Sequence, residues 1–273
     1  MNAKHPPAAD YRDRFAGIAR LYGEDGAALI RELHVCVVGV GGVGSWAVEA
    51  LARSGVGRLS FIDSDEAALS NINRQIHTLD SMLGRSKVEL MAERVAGINP
   101  ACDCRPIDDF LTSRNLDTYL DRGYDYVIDA IDSIKFKADL VYYCKRNRIP
   151  VVATGGAGGL TDPTAIKVAD LSRTYNDPLA AKVRARLRSE YGWTRNPQRR
   201  FGVECVFSSQ QQFYPRGDGS VGHQKPGIHG VSLDCRFGYG STTLVTATFG
   251  MIAASRVINR TLRRRLKRNF EVR

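Results

Sequence analysis

The sequence has no C-x-x-C pair. Its six cysteines, Cys36, Cys102, Cys104, Cys144, Cys205 and Cys235, are scattered, so neither a zinc ribbon nor a disulfide scaffold is indicated, and a reducing, cytoplasmic compartment fits best. No apolar leader is visible either: Met1 to Asp10 holds two prolines and no hydrophobic run, which argues against secretion. Long hydrophobic stretches are equally scarce. The longest uncharged one, Phe237 to Ser255, is diluted by glycine, serine and threonine, and reads as a buried helix rather than a membrane span. His77 and His229 stand alone, without partners at metal or catalytic spacing, and no internal repeat or low-complexity segment is present. Acid is the last scarcity. From Arg256 to Arg273 eight basic residues meet one acid, Glu271, and from Lys182 to Arg200 seven meet Glu190. Each run alone reads as solvated surface; two runs in a chain of formal charge +10 give a polyanion such as nucleic acid equal weight.

Strands and helices alternate through the first half. His34 to Gly39, Arg58 to Asp63, Asp125 to Ile131 and Ile149 to Thr154 read as strands; Val43 to Ser54, Lys87 to Ile98 and Ile134 to Asn147 read as helices. That alternation predicts an α/β fold, a doubly wound and mostly parallel Rossmann-like sheet with helices on both faces. Ligands of such sheets lie outside the carboxyl ends of the strands. After Thr154 the pattern diverges: a glycine-rich turn over 155–159, a strand from Thr164 to Ala169, and a helix opened by Asp177-Pro178. Leu179, Val183, Leu187 and Tyr191 form the apolar stripe of that helix, leaving Lys182, Arg184, Arg186 and Arg188 directed outward or sideways. Asn196 to Arg200 and Tyr214 to Ile228 read as loops.

Chemistry concentrates at strand ends. Gly39-Val40-Gly41-Gly42-Val43-Gly44 follows one strand and opens a helix, so its backbone can approach a phosphate whose charge rests on the helix N-terminus. Asp63 ends the next strand, where a ribose hydroxyl would sit. These two features alone suit a nicotinamide enzyme equally well. Three more constellations weigh against that reading. Ser70-Asn71-Ile72-Asn73-Arg74-Gln75 supplies a guanidinium whose planar fork suits a triphosphate. Lys87, after Gly84-Arg85-Ser86, can neutralise charge developing at an attacked phosphate. Asp132, closing Asp129-Ala130-Ile131-Asp132, can hold a magnesium ion (Mg2+) that bridges phosphate oxygens. Singly, each has a plain alternative: a helix cap for Asn71, a surface salt bridge for Arg74 or Lys87, a turn aspartate for Asp132.

Taken in order, G-x-G-G-x-G, D-x-D at Asp63 and Asp65, N-x-x-R-Q from Asn71 to Gln75 and the aspartate at 132 resemble the ubiquitin-activating type of adenylating enzyme, over roughly residues 11–154. The resemblance implies that ATP is bound by Gly39, Gly41, Gly42, Gly44, Asp63, Asp65, Ser70, Asn71 and Gln75. It implies that Arg74 binds phosphate, Lys87 stabilises the transition state and Asp132 holds magnesium. Tyr11-Arg12-Asp13-Arg14 looks like the family's N-terminal arginine segment, so Arg14 is expected to reach the ATP of a neighbouring subunit in a homodimer. Two departures stand out: Ser133 replaces the family's usual asparagine, and the paired zinc cysteines of the sulfur-carrier activators are missing.

The second half looks more specific. The segments 154–159, 177–182 and 245–250 resemble the branch of the family that dehydrates threonylcarbamoyladenosine in bacterial transfer RNA (tRNA). That branch implies adenylation of the threonyl carboxylate and ring closure by a nitrogen of the same nucleoside, beside the anticodon. Adenylation of the C-terminal glycine of a ubiquitin-like sulfur carrier is the alternative, with sulfur passing through Cys205 or Cys235 to a relay partner. Burial is the plainer reading of both cysteines, and Cys36 and Cys144 read as packing. The expected organisation is one adenylating domain over 1–262, its ATP-binding half at 11–154 and its substrate-binding half at 155–262, followed by a basic tail, 263–273. The helix bearing Lys182, Arg184, Arg186 and Arg188 is the expected tRNA contact, and no membrane insertion is expected.

Overall fold

β-branched and apolar runs short enough to be buried on both faces become the central strands of a parallel sheet. The computed structural model describes residues 8–224 and 240–270. In chain order these form α1 (Ala8–Glu32), β1 (His34–Val38), α2 (Gly44–Arg53), β2 (Arg58–Asp63), α3 (Lys87–Ile98), β3 (Asp103–Asp108), α4 (Leu116–Leu120) and β4 (Tyr126–Asp129). Then follow α5 (Ile134–Arg146), β5 (Val151–Thr154), β6 (Ile166–Asp170), α6 (Pro178–Glu190), β7 (Glu204–Ser208), β8 (Tyr214–Pro215), β9 (Val221–Gly222) and α7 (Thr243–Phe270).

Seven strands build one sheet in the order β3-β2-β1-β4-β5-β7-β6, and β8 pairs with β9 as a small separate ribbon. Every neighbouring pair in the large sheet is parallel except β6 and β7. The chain reverses its direction of travel between β1 and β4, which opens a crevice at their carboxyl ends. One face of the sheet is packed by α2, α3 and α7 around Val37, Leu51, Phe61, Met91 and Phe249. The other is packed by α4, α5 and α6 around Val38, Leu120, Leu140, Val183 and Phe207.

The uncharged stretch enters a core helix as expected. Val245, Phe249, Ala253, Val257 and Leu262 of α7 are buried at helical spacing against the sheet. No described helix is long and apolar enough to cross a membrane. α7 continues without a break through residue 262 to Phe270, and residues 225–239, which include Cys235 and His229, lie outside the described residues. The strand expected from Thr164 begins at Ile166, because Asp162 caps a 3-10 turn over Pro163–Ala165. The loop expected from Tyr214 contains the β8–β9 ribbon instead.

Gly250 is the point where α7 touches α2. A Cβ there would collide with Val43 O and come within 2.8 Å of Ala47 N and 2.9 Å of Trp46 Cβ. Val43 O and Ala47 N are backbone atoms at the start of α2 and cannot move singly. Gly250→Val is expected to destabilise the fold by about 1–3 kcal/mol, the usual cost of overpacking. A denaturant midpoint unchanged from wild type would contradict that contact.

Candidate active site

The glycine loop sits where β1, β2 and β4 deliver their carboxyl ends. Gly39 adopts φ +84°, and a Cβ there would lie 2.9 Å from Ala130 O on the loop after β4. Gly44, the first residue of α2, has no space for a side chain beside Gly39 O. The carboxylate of Asp63 pins the turn: Val40 N donates to its Oδ2 at 2.7 Å, and Asp65 N to its Oδ1 at 3.0 Å. Burial pushes its pKa up, against the opposing pull of these bonds and of the Lys87 charge. Each oxygen keeps accepting capacity for a ribose hydroxyl. No side chain caps the N-terminus of α2; Ser45 N donates back to Gly41 O at 3.1 Å, and the Gly44 and Trp46 amides are left to an anion.

The segment 68–75 folds over this loop. Asn71 Oδ1 accepts from Ala68 N at 3.1 Å, so the plain reading of Asn71 as a cap holds for its oxygen. Its amide nitrogen has no protein partner among the described residues. The stem of Arg74 lies over Gly42, with Cδ and Cγ 3.1 and 3.2 Å from where a Cβ would be. Its guanidinium donates to Ser70 O at 2.8 Å and Asn73 Oδ1 at 3.1 Å. Gln75 is buried beside Gly41, with Oε1 unpartnered. Three bonds fix this segment to the rest of the protein: Trp46 Nε1 to Arg74 O at 2.9 Å, Asn73 Nδ2 to Ser241 O at 2.9 Å, and Thr243 Oγ1 to Asn73 O. The start of α7 therefore braces the site, a contribution that no local motif announces.

Lys87 begins α3 and is 4% exposed; its Nζ donates to Asp65 Oδ2 at 2.6 Å. Burial of a cation is costly unless it is paired, and Asp65 supplies the pair while remaining open to solvent itself. His77, buried just below, has neither ring nitrogen bonded, and burial with nearby Lys87 and Arg94 lowers its pKa to about 4. Its ring is neutral at physiological pH.

The two aspartates after β4 divide the work. Asp129 is wholly buried and its carboxylate accepts from Lys137 Nζ at 2.8 Å and from Ile131 N at 3.2 Å. Its carbonyl accepts from Thr154 Oγ1 at 3.1 Å. These bonds shape the turn that presents Asp132, whose side chain is exposed and has no partner among the described residues. Lys137 was invisible as a functional residue in the sequence, because it occupies the apolar face of α5 with Ala138, Val141 and Cys144. Among the described residues no group of three or more acids, histidines or cysteines could hold a metal ion. Asp132 alone fits magnesium in the way this ion is usually bound at triphosphates, one carboxylate with phosphate oxygens and water completing the shell.

Arg14 is not at the glycine loop. It bonds Asp10 and Ile98 O at the far end of α3, a point about 17 Å from Lys87 by the rise of eleven helical steps. On α6, Asp177 caps the helix through Ala180 N at 2.9 Å and bonds Gly156 N at 3.1 Å, tying α6 to the glycine turn after β5. Of the four basic residues, only Lys182 is exposed. Arg184 bonds Thr174 Oγ1, Arg186 pairs with Glu190 at 2.5 Å, and Arg188 lies over the Phe201 ring. Burial and Arg188 also lower the pKa of Arg184. Cys205 is fully buried on β7, and burial pushes its thiol far up, so it is poorly suited to be a nucleophile.

A glycine loop at a sheet's reversal point, with an arginine, a buried lysine and a free aspartate around it, defines a nucleotide site built for more than a diphosphate. The chain belongs to the ThiF family, whose sequence pattern it matches over residues 13–270. It is 51% identical over 251 residues to the tRNA threonylcarbamoyladenosine dehydratase of Escherichia coli (strain K12), covering 92% of this chain and 94% of that protein. Among solved structures it is similar to TcdA (CsdL), with TM-score 0.89 and 47% identity over 97% of this chain and all of that one. It is also similar to Escherichia coli tRNA N6-threonylcarbamoyladenosine dehydratase, TcdA, crystallised in complex with ATP, with TM-score 0.86 and 46% identity over the same shares.

Proposed function

We propose that this chain catalyses the ATP-dependent dehydration of threonylcarbamoyladenosine in tRNA. The observation that carries the reading is similarity at about half identity along nearly the full length of both chains, including the divergent half where substrate would bind. In the first step a threonyl carboxylate oxygen attacks the α-phosphorus of ATP and pyrophosphate leaves. In the second a nitrogen of the same nucleoside attacks the acyl carbon, its proton is lost, and AMP departs with the former carboxylate oxygen. The nucleoside thereby loses the elements of one water, the oxygen leaving in AMP, with no enzyme nucleophile; the buried Cys205 agrees with that.

The geometry supports the following roles. Gly39, Gly41, Gly42 and Gly44 let the phosphates approach the N-terminus of α2, and Asp63 accepts from the ribose. Arg74 holds phosphate oxygens in place of its present partners Ser70 O and Asn73 Oδ1. Asp65 holds the Lys87 ammonium in place until charge grows at the α-phosphate. Magnesium, held by Asp132, would supply neutralisation of the pyrophosphate oxygens. Arg14, remote from its own subunit's Lys87, serves the site of a partner in a homodimer.

Activation of a sulfur carrier fits less well. Cys205 is buried, and no zinc ligand cluster exists among the described residues. Incubating the protein with labelled ATP and either tRNA or a carrier protein separates the two readings. AMP release that depends on tRNA is expected; release only with the carrier would overturn the proposal.

A further inference from the structure

The basic run of α7 and the basic carboxyl end of α5, distant in sequence, meet at one cleft at the amino ends of β4, β5 and β7, opposite the nucleotide site. The cleft has a volume of about 720 Å³, and Lys145, Arg148, Arg260, Arg263 and Arg264 line it against one carboxylate, Glu204. That carboxylate is already spoken for. Arg256 and Arg260 bond it at 2.6 and 2.5 Å, and although burial would raise its pKa, these bonds hold it below the usual range. The side chains of Arg148, Arg263 and Arg264 are exposed and have no hydrogen-bond or ion-pair partner among the described residues. Gly202, which ends the loop carrying Arg199 and Arg200, closes the cleft by accepting from Lys145 Nζ at 3.2 Å.

Such a surface is costly to the protein by itself. Arg260 stands three and four residues from Arg263 and Arg264 on one face of α7, a spacing at which like charges repel. Arg148 adopts φ +58° at the reversal between α5 and β5, a conformation that a non-glycine residue enters at some cost and that delivers its guanidinium to this cleft. A concave wall with uncompensated charge concentrates a positive field and favours a polyanion.

We infer that this cleft docks the phosphate backbone of the substrate tRNA, away from the catalytic end. The inference rests on the function proposed above. A nucleoside beside the anticodon enters the site in a loop, so the helical stem behind it must lie against another part of the protein. Duplex RNA is gripped mainly through its phosphates and 2′-hydroxyls. α6 offers less, since three of its four cations are engaged within the protein.

The test is filter binding of full-length tRNA across a salt series, with dehydration kinetics alongside, for Arg263→Glu/Arg264→Glu and for Arg148→Gly. Glycine suits the backbone at 148, so that variant removes a charge without adding strain. The double variant is expected to weaken tRNA binding by about 10- to 100-fold and to flatten the log–log salt dependence by about two units, and Arg148→Gly by about one. KM for tRNA should rise with kcat and ATP affinity unchanged. Folded variants with wild-type tRNA affinity and salt slope would overturn the inference. If the wild-type protein bound tRNA in this manner but never dehydrated it, the proposed function would fail and the docking role would stand.

Discussion

Asp132→Ala lowers tRNA-dependent AMP formation by at least about 10³-fold in a protein that remains folded, an effect of the size expected when a main source of charge stabilisation at a phosphoryl centre is lost. The prediction rests on a contrast between two neighbouring carboxylates. Asp132 is exposed and bonds nothing among the described residues, so its removal should change stability by no more than about 0.5 kcal/mol. Asp129 is buried against Lys137. Asp129→Ala would strand that lysine and cost about 3–5 kcal/mol, the usual price of breaking a buried pair. Activity and thermal melting of both variants separate a ligand from a scaffold. Near-normal AMP release by folded Asp132→Ala would remove the metal role assigned to this residue.

Mixing two dead enzymes should restore activity. Arg14→Ala lacks the proposed partner-directed guanidinium, and Lys87→Ala lacks the cation at the α-phosphate. Within one subunit the two residues stand at opposite ends of α3, too far apart to serve the same nucleotide. In a two-fold dimer of the two variants, one site loses both groups and the other receives both intact. Random reassortment makes about half the dimers hybrid, so the mixture should recover about a quarter of wild-type activity. Neither substitution threatens the fold: Arg14 is exposed, and Asp65, left behind by Lys87→Ala, is open to water. Hybrids that form without recovery would place Arg14 in its own subunit's site or outside catalysis.

The nucleotide end of the molecule was legible because its signals are local. Arg58–Asp63 and Lys87–Ile98 occupy the bounds that their patterns predict, and the glycines, Arg74, Lys87 and Asp132 all fall at carboxyl ends of strands. What escaped was set by tertiary contact. β3 is an edge strand whose polar residues and Pro106 conceal it, since an edge position tolerates proline. β7 reads as a strand only once β5 and β6 flank it. Lys137 looks like an error on an apolar helix face until Asp129 is placed opposite it. Thr243 and Ser241 join the site through Asn73, about 170 residues earlier in the chain, and no spacing rule spans such a distance. On α6 the pattern located the buried stripe, with Val183 and Leu187 fully enclosed. It could not show that Thr174, Glu190 and Phe201 would engage the arginines beside it.

Mass analysis of nucleosides from the tRNA of cells lacking this gene addresses the central claim most directly. Cyclised threonylcarbamoyladenosine, one water lighter than its precursor, should be absent from those cells, with the open form in its place. Restoring the wild-type gene should bring the cyclic form back, and the Asp132→Ala gene should not. Cyclic nucleoside persisting at its normal level without the gene would contradict the claim.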